Sequence, residues 1–227
     1  MASSKKLVVS LIGPPGSGKG SYGRHLAKAL KLANIGMSDV LREMRPDLDL
    51  SSGRLVEDAI VTNCLERYLE NHEADMDNRG YLLDGFPRTI RQLEQSFGTH
   101  IVVDAAIQLA VPDFVCEAKL LGRRLCPKCG HNYNVHGVDQ DGWCLPPSLP
   151  KKSTCSPSAC NWQTRSDDQP GVVHSRLQMY HQHADPIVQY FERHNRILKL
   201  KPYRGFDDVP TIIETVQKFL ENIHHRE

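Results

Sequence analysis

The segment GPPGSGKGS, from Gly13 to Ser21, carries residue types that bind phosphate groups. Gly13, Gly18 and Lys19 match the nucleotide-binding pattern G-x-x-x-x-G-K-[ST], but Gly20 stands where that pattern has a hydroxyl side chain. Glycines let the backbone N–H groups of a turn approach phosphate oxygens, and the lysine adds positive charge near the outer phosphates. The segment therefore predicts a phosphate-binding loop whose hydroxyl, on Ser21, comes one position late.

A second chemical signal is the motif CPKCG, which begins at Cys126. Two cysteines separated by two residues on a glycine-containing turn are typical of a zinc knuckle, which needs a second pair of ligands. The candidates for that pair are Cys155 and Cys160, which are separated by four residues, with Cys144 and His131 in reserve. Free thiols or an oxidised pair are the alternatives to a metal site.

The elements that must position these motifs follow an α/β pattern. Apolar, β-branched segments that predict strands alternate with amphipathic segments that predict helices, which favours a parallel sheet with helices on both faces. Strands are predicted at KLVVSLIG (6–13), NIGM (34–37), GYLLDGF (80–86), AAIQLAVP (105–112) and ILKLKPYRG (197–205), and a closing helix at 211–223. The first strand ends at the phosphate loop and a helix follows, so the positive end of a helix dipole should face the bound anion.

Two segments interrupt this alternation. Residues 38–70 are mostly helical in pattern, and residues 123–165 are rich in Cys, Pro, Gly and Ser without helical periodicity. We interpret both segments as excursions from a single core.

Composition limits the classes of function. The 227 residues include 28 Lys plus Arg and 27 Asp plus Glu, and this net charge of +1 argues against sequence-independent nucleic-acid binding. No apolar run reaches the length of a membrane span, and the six residues before Leu7 predict no signal or transit peptide. The seven cysteines suit a metal site in a reducing compartment, so we expect a cytoplasmic protein without membrane or nucleic-acid partners.

The phosphate loop resembles that of the adenylate kinases, which carry the same G-x-P-G-x-G-K-G-[ST] form. The segment YLLDGFPRTIRQ, from Tyr81 to Gln92, is similar to the most distinctive motif of that family. The resemblance covers nearly the whole chain and implies a five-stranded parallel core. In residue ranges it implies core at 1–37, 71–122 and 166–227, a shortened nucleoside-monophosphate (NMP) insert at 38–70 and a lid at 123–165.

The resemblance also implies the reaction, in which MgATP gives its terminal phosphoryl group to AMP and two ADP molecules form. The acceptor phosphate is already an anion, so the reaction needs fixed cations against charge repulsion, and planar Arg side chains suit this task. The implied catalytic residues are Lys19, Arg88, Arg123, Arg165 and Arg176. The implied ATP-binding residues are Gly16, Ser17, Gly18, Lys19, Gly20, Ser21, Lys119 and Arg123. The implied AMP-binding residues are Arg42, Arg54, Leu55, Val56, Gly85, Phe86, Arg88, Gln92, Arg165 and Arg176.

Two metals follow from the same resemblance. Asp84 would hold magnesium through its water shell, because this hard ion prefers oxygen ligands and keeps its waters. Several family members hold the lid with four zinc ligands, which here implies Cys126, Cys129, Cys155 and Cys160. Cys64 and Cys116 are expected to be ordinary buried cysteines, and His181 and His183 surface residues.

Departures from the family pattern leave the substrates open. Met37 occupies the position of a threonine that faces the acceptor base, and Lys119 replaces the usual arginine over the donor base. A GTP:AMP phosphotransferase or a pyrimidine monophosphate kinase is therefore an alternative, although the long lid argues against the latter. An alternative from another class is a zinc ribbon that binds nucleic acid on an inactive core. The scarcity of basic residues between Cys126 and Cys160 argues against it. We expect a monomer.

Overall fold

The computed structural model describes residues 6–50, 54–72, 79–97, 99, 101–150, 155 and 161–224. Its strands are β1 (Leu7–Ile12), β2 (Ala33–Gly36), β3 (Gly80–Asp84), β4 (Ala105–Leu109), β5 (Arg123–Leu125), β6 (Asn132–Asn134), β7 (Val138–Gln140), β8 (Trp143–Leu145) and β9 (Ile197–Leu200). Its α-helices are α1 (Lys19–Leu30), α2 (Met37–Met44), α3 (Asp58–His72), α4 (Ile90–Ser96), α5 (Asp113–Leu121), α6 (Pro170–Arg193) and α7 (Val209–His224).

A parallel sheet with the strand order β2-β3-β1-β4-β9 forms the centre of the molecule. The predicted α/β class is confirmed, and each predicted sheet strand overlaps an observed one. Leu11 on β1 pairs with Asp84 on β3, and Ile12 pairs with Gln108 on β4. The carboxyl ends of β1, β3 and β4 therefore meet at one edge, where ligands of open α/β sheets bind.

The sheet separates two apolar clusters, because successive side chains of β1 point to opposite faces. Val9 and Leu11 belong to a cluster that includes side chains of α1, α5 and α7. Val8 and Ile12 belong to a second cluster, built with side chains of α2, α3 and α4. Helices thus cover both faces of the sheet. This cover is required because the strands carry apolar side chains on both faces.

The segment between α5 and α6 forms two antiparallel hairpins, β5–β6 and β7–β8. A bridge between Leu125 and Gln163 closes the base of this segment. The β7–β8 hairpin differs from the rest of the predicted lid, since Trp143 and Leu145 are buried in the same apolar cluster as α7. Sequence analysis predicted an excursion from the core over residues 123–165 and did not single out this hairpin.

None of the helices in the described part of the chain combines the length and the apolar character that a membrane crossing requires.

Candidate active site

The phosphate loop joins β1 to α1 at the carboxyl edge of the sheet. Gly16 and Gly18 have φ angles of 88° and 93°, which glycine adopts without strain, and α1 begins at Lys19. The Lys19 Nζ donates hydrogen bonds to the carbonyl oxygens of Gly13 (2.6 Å) and Pro14 (3.0 Å). Removal of water from the ammonium lowers the pKa of Lys19 to about 8, although the nearby Asp84 opposes this shift. The loop presents a helix N-terminus and a lysine to one point, where an anion binds.

Gly20, the residue that departs from the common loop pattern, faces Asp84. A Cβ atom at Gly20 would lie 3.4 Å from the Asp84 Oδ2 atom, so the glycine leaves the space beside this carboxylate open. Burial raises the pKa of Asp84, while Lys19 and Arg88 lower it. Because Gly20 has no side chain, the Asp84 carboxylate can face a ligand bound at the loop.

The loop opens into a cleft of about 450 Å³ between the sheet edge, α5, α6 and the β5–β6 hairpin. Of the predicted site residues, those that line it are Gly16, Gly18, Lys19, Gly20, Ser21, Leu55, Asp84, Gly85, Arg88, Lys119, Arg123, Arg165 and Arg176. The cleft thus brings together predicted residues that are far apart in sequence, from Gly16 to Arg176.

Carboxylates of the segment after the hairpins hold two of the cleft arginines. Arg123 forms a two-point ion pair with Asp168, with 2.7 Å from Nε to Oδ2. Arg176 Nη1 lies 2.8 Å from Asp167 Oδ2. Desolvation lowers the pKa of Arg176. The negative charge of Asp167 opposes this shift, and the positive charge of Arg123 adds to it. Since arginine remains charged in proteins, the cleft has an excess of fixed positive charge.

Arg88 projects into the cleft from the segment after β3. Its Nε donates to the Gly85 carbonyl oxygen at 3.1 Å, and its backbone N–H donates to Gln92 Oε1 at 2.7 Å. A Cβ atom at Gly85 would lie 3.0 Å from the Arg88 Nη2 atom, so the glycine makes room for the guanidinium. The cleft walls partly desolvate Arg88 and lower its pKa, but the residue as a whole is exposed, so water reaches the charge.

Gln92, predicted at the acceptor base, lies inside the protein. It is 1% exposed, and its Nε2 donates to Asp58 Oδ1 at 2.9 Å while its Oε1 accepts from Arg88. Thr89 caps α4 by accepting from the Gln92 N–H and donates to the same Asp58 oxygen. In this structure the amide is therefore engaged within the protein, and Gln92 does not line the cleft.

The remaining predicted acceptor residues do not line the cleft. Phe86 is fully buried in the apolar core, and its carbonyl accepts a hydrogen bond from Ser10. Arg42 pairs with Asp39 at 2.7 Å on the exposed face of α2. Arg54 is exposed and Val56 packs against the apolar cluster of α2 and α3.

Two further positions differ from their expected environment. Met37 is 2% exposed and packs in the apolar cluster of α2 and α3, so its side chain faces the core. The Ser17 hydroxyl of the phosphate loop is buried and has no hydrogen-bond partner among the described residues.

Sequence reasoning missed several residues that line the cleft, notably Arg24, Tyr22, Tyr180 and Phe206. Phe206 is 53% exposed, and its ring centroid lies 5.9 Å from those of Tyr22 and His25. Lys119 also lines the cleft, and burial lowers its pKa. Phe206 is a single aromatic residue in the turn before α7, and no motif marks it as a site residue. Its place in the cleft depends on how this turn packs in the folded protein.

Three of the four predicted zinc ligands converge. The Sγ atoms of Cys126, Cys129 and Cys155 lie within 4.8 Å of one another, with 4.0 Å between those of Cys126 and Cys155. Tetrahedral zinc with Zn–S bonds of about 2.3 Å separates its sulfurs by about 3.8 Å. Hydrogen bonding by Tyr133 lowers the pKa of Cys129 to about 6, which favours the thiolate that binds metal. The three thiols fit zinc.

The fourth predicted ligand, Cys160, lies outside the described residues. The reserve candidates do not join the described cluster. Cys144 is exposed on β8, and His131 Nδ1 lies 2.8 Å from the Cys129 carbonyl oxygen.

Cys64 and Cys116 are buried, as expected, and burial raises the pKa of Cys116 to about 12. His181 is exposed and contacts Asp113 at 2.9 Å, whereas His183 is half-buried.

A glycine-rich phosphate loop at the carboxyl edge of a parallel sheet, opening into a cleft lined by arginines, defines a P-loop nucleotide-binding protein. A family model described as adenylate kinase matches residues 11–196, and the chain therefore belongs to the adenylate kinase family. Membership of an enzyme family and the anion-binding cleft favour the kinase over a zinc ribbon.

Individual relatives agree with the family. The chain is 34% identical to "Probable adenylate kinase 6, chloroplastic" of Oryza sativa subsp. japonica, over 83% of this chain and 69% of that protein. It is 32% identical to the GTP:AMP phosphotransferase of Plasmodium falciparum (isolate 3D7), over 92% and 97%. It is 30% identical to the adenylate kinase of Moorella thermoacetica, over 92% and 96%.

Proposed function

We propose that the protein catalyses the reversible reaction MgATP + AMP ⇌ 2 ADP. The observation that carries the proposal is the meeting of the phosphate loop, Asp84 and four arginines in one cleft. The arginines are Arg88, Arg123, Arg165 and Arg176. No base is needed, because the attacking oxygen belongs to a phosphate that is already anionic.

The cations of the cleft divide between the two substrates. The loop residues 16–21 bind the donor phosphates through backbone N–H groups, with Lys19 on the outer phosphates. Arg88, from the segment after β3, binds the acceptor phosphate. Arg123, Arg165 and Arg176 neutralise the charge that spreads over the transferred group. Arg42, Arg54, Leu55, Val56, Gly85, Phe86 and Gln92 form the surroundings of AMP.

The donor base would contact Lys119 and Phe206, which both line the cleft, and Phe206 is 53% exposed. Asp84 would hold the magnesium ion through water, and the ion would supply charge neutralisation to the donor phosphates. Asp84 fits this role because it lines the cleft beside Gly20 of the loop.

The chain divides into a core, an NMP-binding segment (38–70) and a lid (123–165). Zinc held by Cys126, Cys129, Cys155 and Cys160 would stabilise the lid, which has few apolar residues of its own, and would leave no position open for catalysis. The lid excludes water, which competes with AMP as the acceptor. We expect a cytoplasmic monomer that binds ATP, AMP and ADP and no nucleic acid. Light scattering tests whether the protein is a monomer, and imaging of the tagged protein tests whether it is cytoplasmic.

GTP as the donor is the second candidate. A relative at 32% identity is named a GTP:AMP phosphotransferase, and Lys119 lacks the planar group that stacks on a particular base.

The test is a nucleotide matrix with the purified protein. ADP with magnesium should yield ATP and AMP in equal amounts, and ATP should exceed GTP, CTP and UTP as the donor to AMP. Loss of this activity in Lys19→Ala, with an exposed helix variant such as Lys28→Ala retaining it, would exclude a contaminating kinase. Failure of every pairing would overturn the proposal.

A further inference from the structure

The β7–β8 hairpin joins the segment above the cleft to the core. Each strand has three residues, which is too short for a hairpin to be stable alone. Trp143 and Leu145 are 3% and 8% exposed because they pack in the apolar cluster of the core. The hairpin therefore has a fixed place on the core.

The hairpin docks on the turn that follows β9. The Cys144 N–H donates to the Tyr203 carbonyl oxygen at 2.8 Å, and the rings of Trp143 and Tyr203 lie 4.8 Å apart. A Cβ atom at Gly205 would lie 3.1 Å from Leu145 Cδ2, so the hairpin also covers the backbone at this position.

The same turn carries Phe206 into the cleft. Its ring lies 5.9 Å from the rings of Tyr22 and His25 of α1, and the residue is 53% exposed. Phe206 and Lys119 both line the cleft. The turn is thus held from one side by the hairpin and from the other by the helix of the phosphate loop.

We infer that the β7–β8 hairpin is a positioning element for the donor nucleobase and that it sets selectivity among donor nucleotides by fixing Phe206. A stacked base gains most from a ring that is already immobile, because no side-chain entropy is then lost on binding. This inference rests on the proposed function.

The first test compares ATP with inorganic tripolyphosphate, which has the three phosphates and lacks the nucleoside. ATP carries a base and inorganic tripolyphosphate does not, and calorimetry gives the affinity of each. Trp143→Ala should weaken ATP at least about fivefold, which corresponds to about 1 kcal/mol, and change tripolyphosphate less than about twofold. Trp143→Phe should restore ATP affinity, and Asp139→Ala, an exposed change on the same hairpin, should match the parent. Equal weakening of both ligands, or of neither, overturns the inference.

A second variant covers the case in which Trp143→Ala does not fold. Tyr203→Ala removes the other ring of the pair from a residue that is 39% exposed, and it should weaken ATP in the same selective way. A folded Tyr203→Ala with the ATP affinity of the parent overturns the inference.

Kinetics and a mutant cycle give independent readouts. Trp143→Ala should raise the KM of ATP and reduce the preference for ATP over GTP, with the KM of AMP within about twofold of the parent. Phe206→Ala should weaken ATP similarly, and the double variant should be little worse than either single one. Additive effects contradict positioning through Phe206. A parent that binds neither ATP nor tripolyphosphate contradicts the proposed function instead.

Discussion

Arg123 and Asp168 form a buried two-point ion pair at the base of the segment that covers the cleft. The Asp168 side chain is fully buried, and the Arg123 side chain is 21% exposed. Asp168 thereby fixes the plane of a guanidinium that lines the cleft.

Asp168→Asn should lower turnover at least about tenfold, because Arg123 loses the charge that orients it. It should also lower the melting temperature, since removal of one partner from a buried ion pair costs about 3 kcal/mol. Steady-state kinetics and thermal unfolding measure the two effects, with exposed Asp141→Asn as the control. A folded variant with the turnover of the parent would contradict this role.

Arg88→Ala should reduce turnover by about 100- to 1,000-fold, as expected when a fixed charge beside a developing charge is removed. Binding of ATP alone should change little, because Arg88 is assigned to the acceptor. Arg91→Ala, an exposed change three residues later on α4, is the matched control. If the folded Arg88→Ala enzyme turns over at the normal rate, the assignment is wrong.

Lys19 should give ATP binding a pH dependence. Its pKa is lowered to about 8 in the free protein, and only the protonated form attracts phosphate. Affinity for ATP should therefore be highest below pH 8 and fall above it, approaching about tenfold per pH unit. The decline should disappear in Lys19→Arg, whose side chain stays charged. Calorimetry from about pH 7 to about pH 10 provides the measurement, and identical profiles for both proteins would refute the prediction.

The cysteine cluster should hold about one zinc ion per chain in protein purified without added zinc or chelator. Cys126→Ser combined with Cys155→Ser should abolish the metal, and Cys144→Ser, on an exposed thiol outside the cluster, should not. Stripping the metal should lower the melting temperature while the phosphate loop still binds nucleotide. The site is absent if the parent contains less than about a tenth of an equivalent, or if the double variant retains the same amount.

The sheet and the phosphate loop could be predicted from sequence because their signals are local. The apolar run of β1, the glycines of the loop and the helical period after Lys19 are each contained within a short window. Observed strand ends differ from predicted ones by a few residues, as at β4, where AAIQL forms the strand and AVP leads into α5.

Features that depend on distant partners could not be predicted. Gln92 has an amide that suits a base, but Asp58, 34 residues earlier in the chain, engages it inside the protein. Trp143 lies in a segment of polar composition, and only the turn at Tyr203 reveals that it belongs to the core. Exposure of Phe206 likewise follows from packing between α1 and a hairpin remote in sequence.

The separation of the apolar residues by the sheet bears on how this protein can evolve. Val8 and Ile12 pack in a cluster with α2 and α3 of the proposed NMP-binding segment, and Val9 and Leu11 pack in a cluster with α1, the helix of the phosphate loop. Substitutions on one face share few neighbours with those on the other, so their effects should add. A lineage could therefore acquire a new acceptor through changes around α2 and α3 without first repacking the half that holds its phosphate donor.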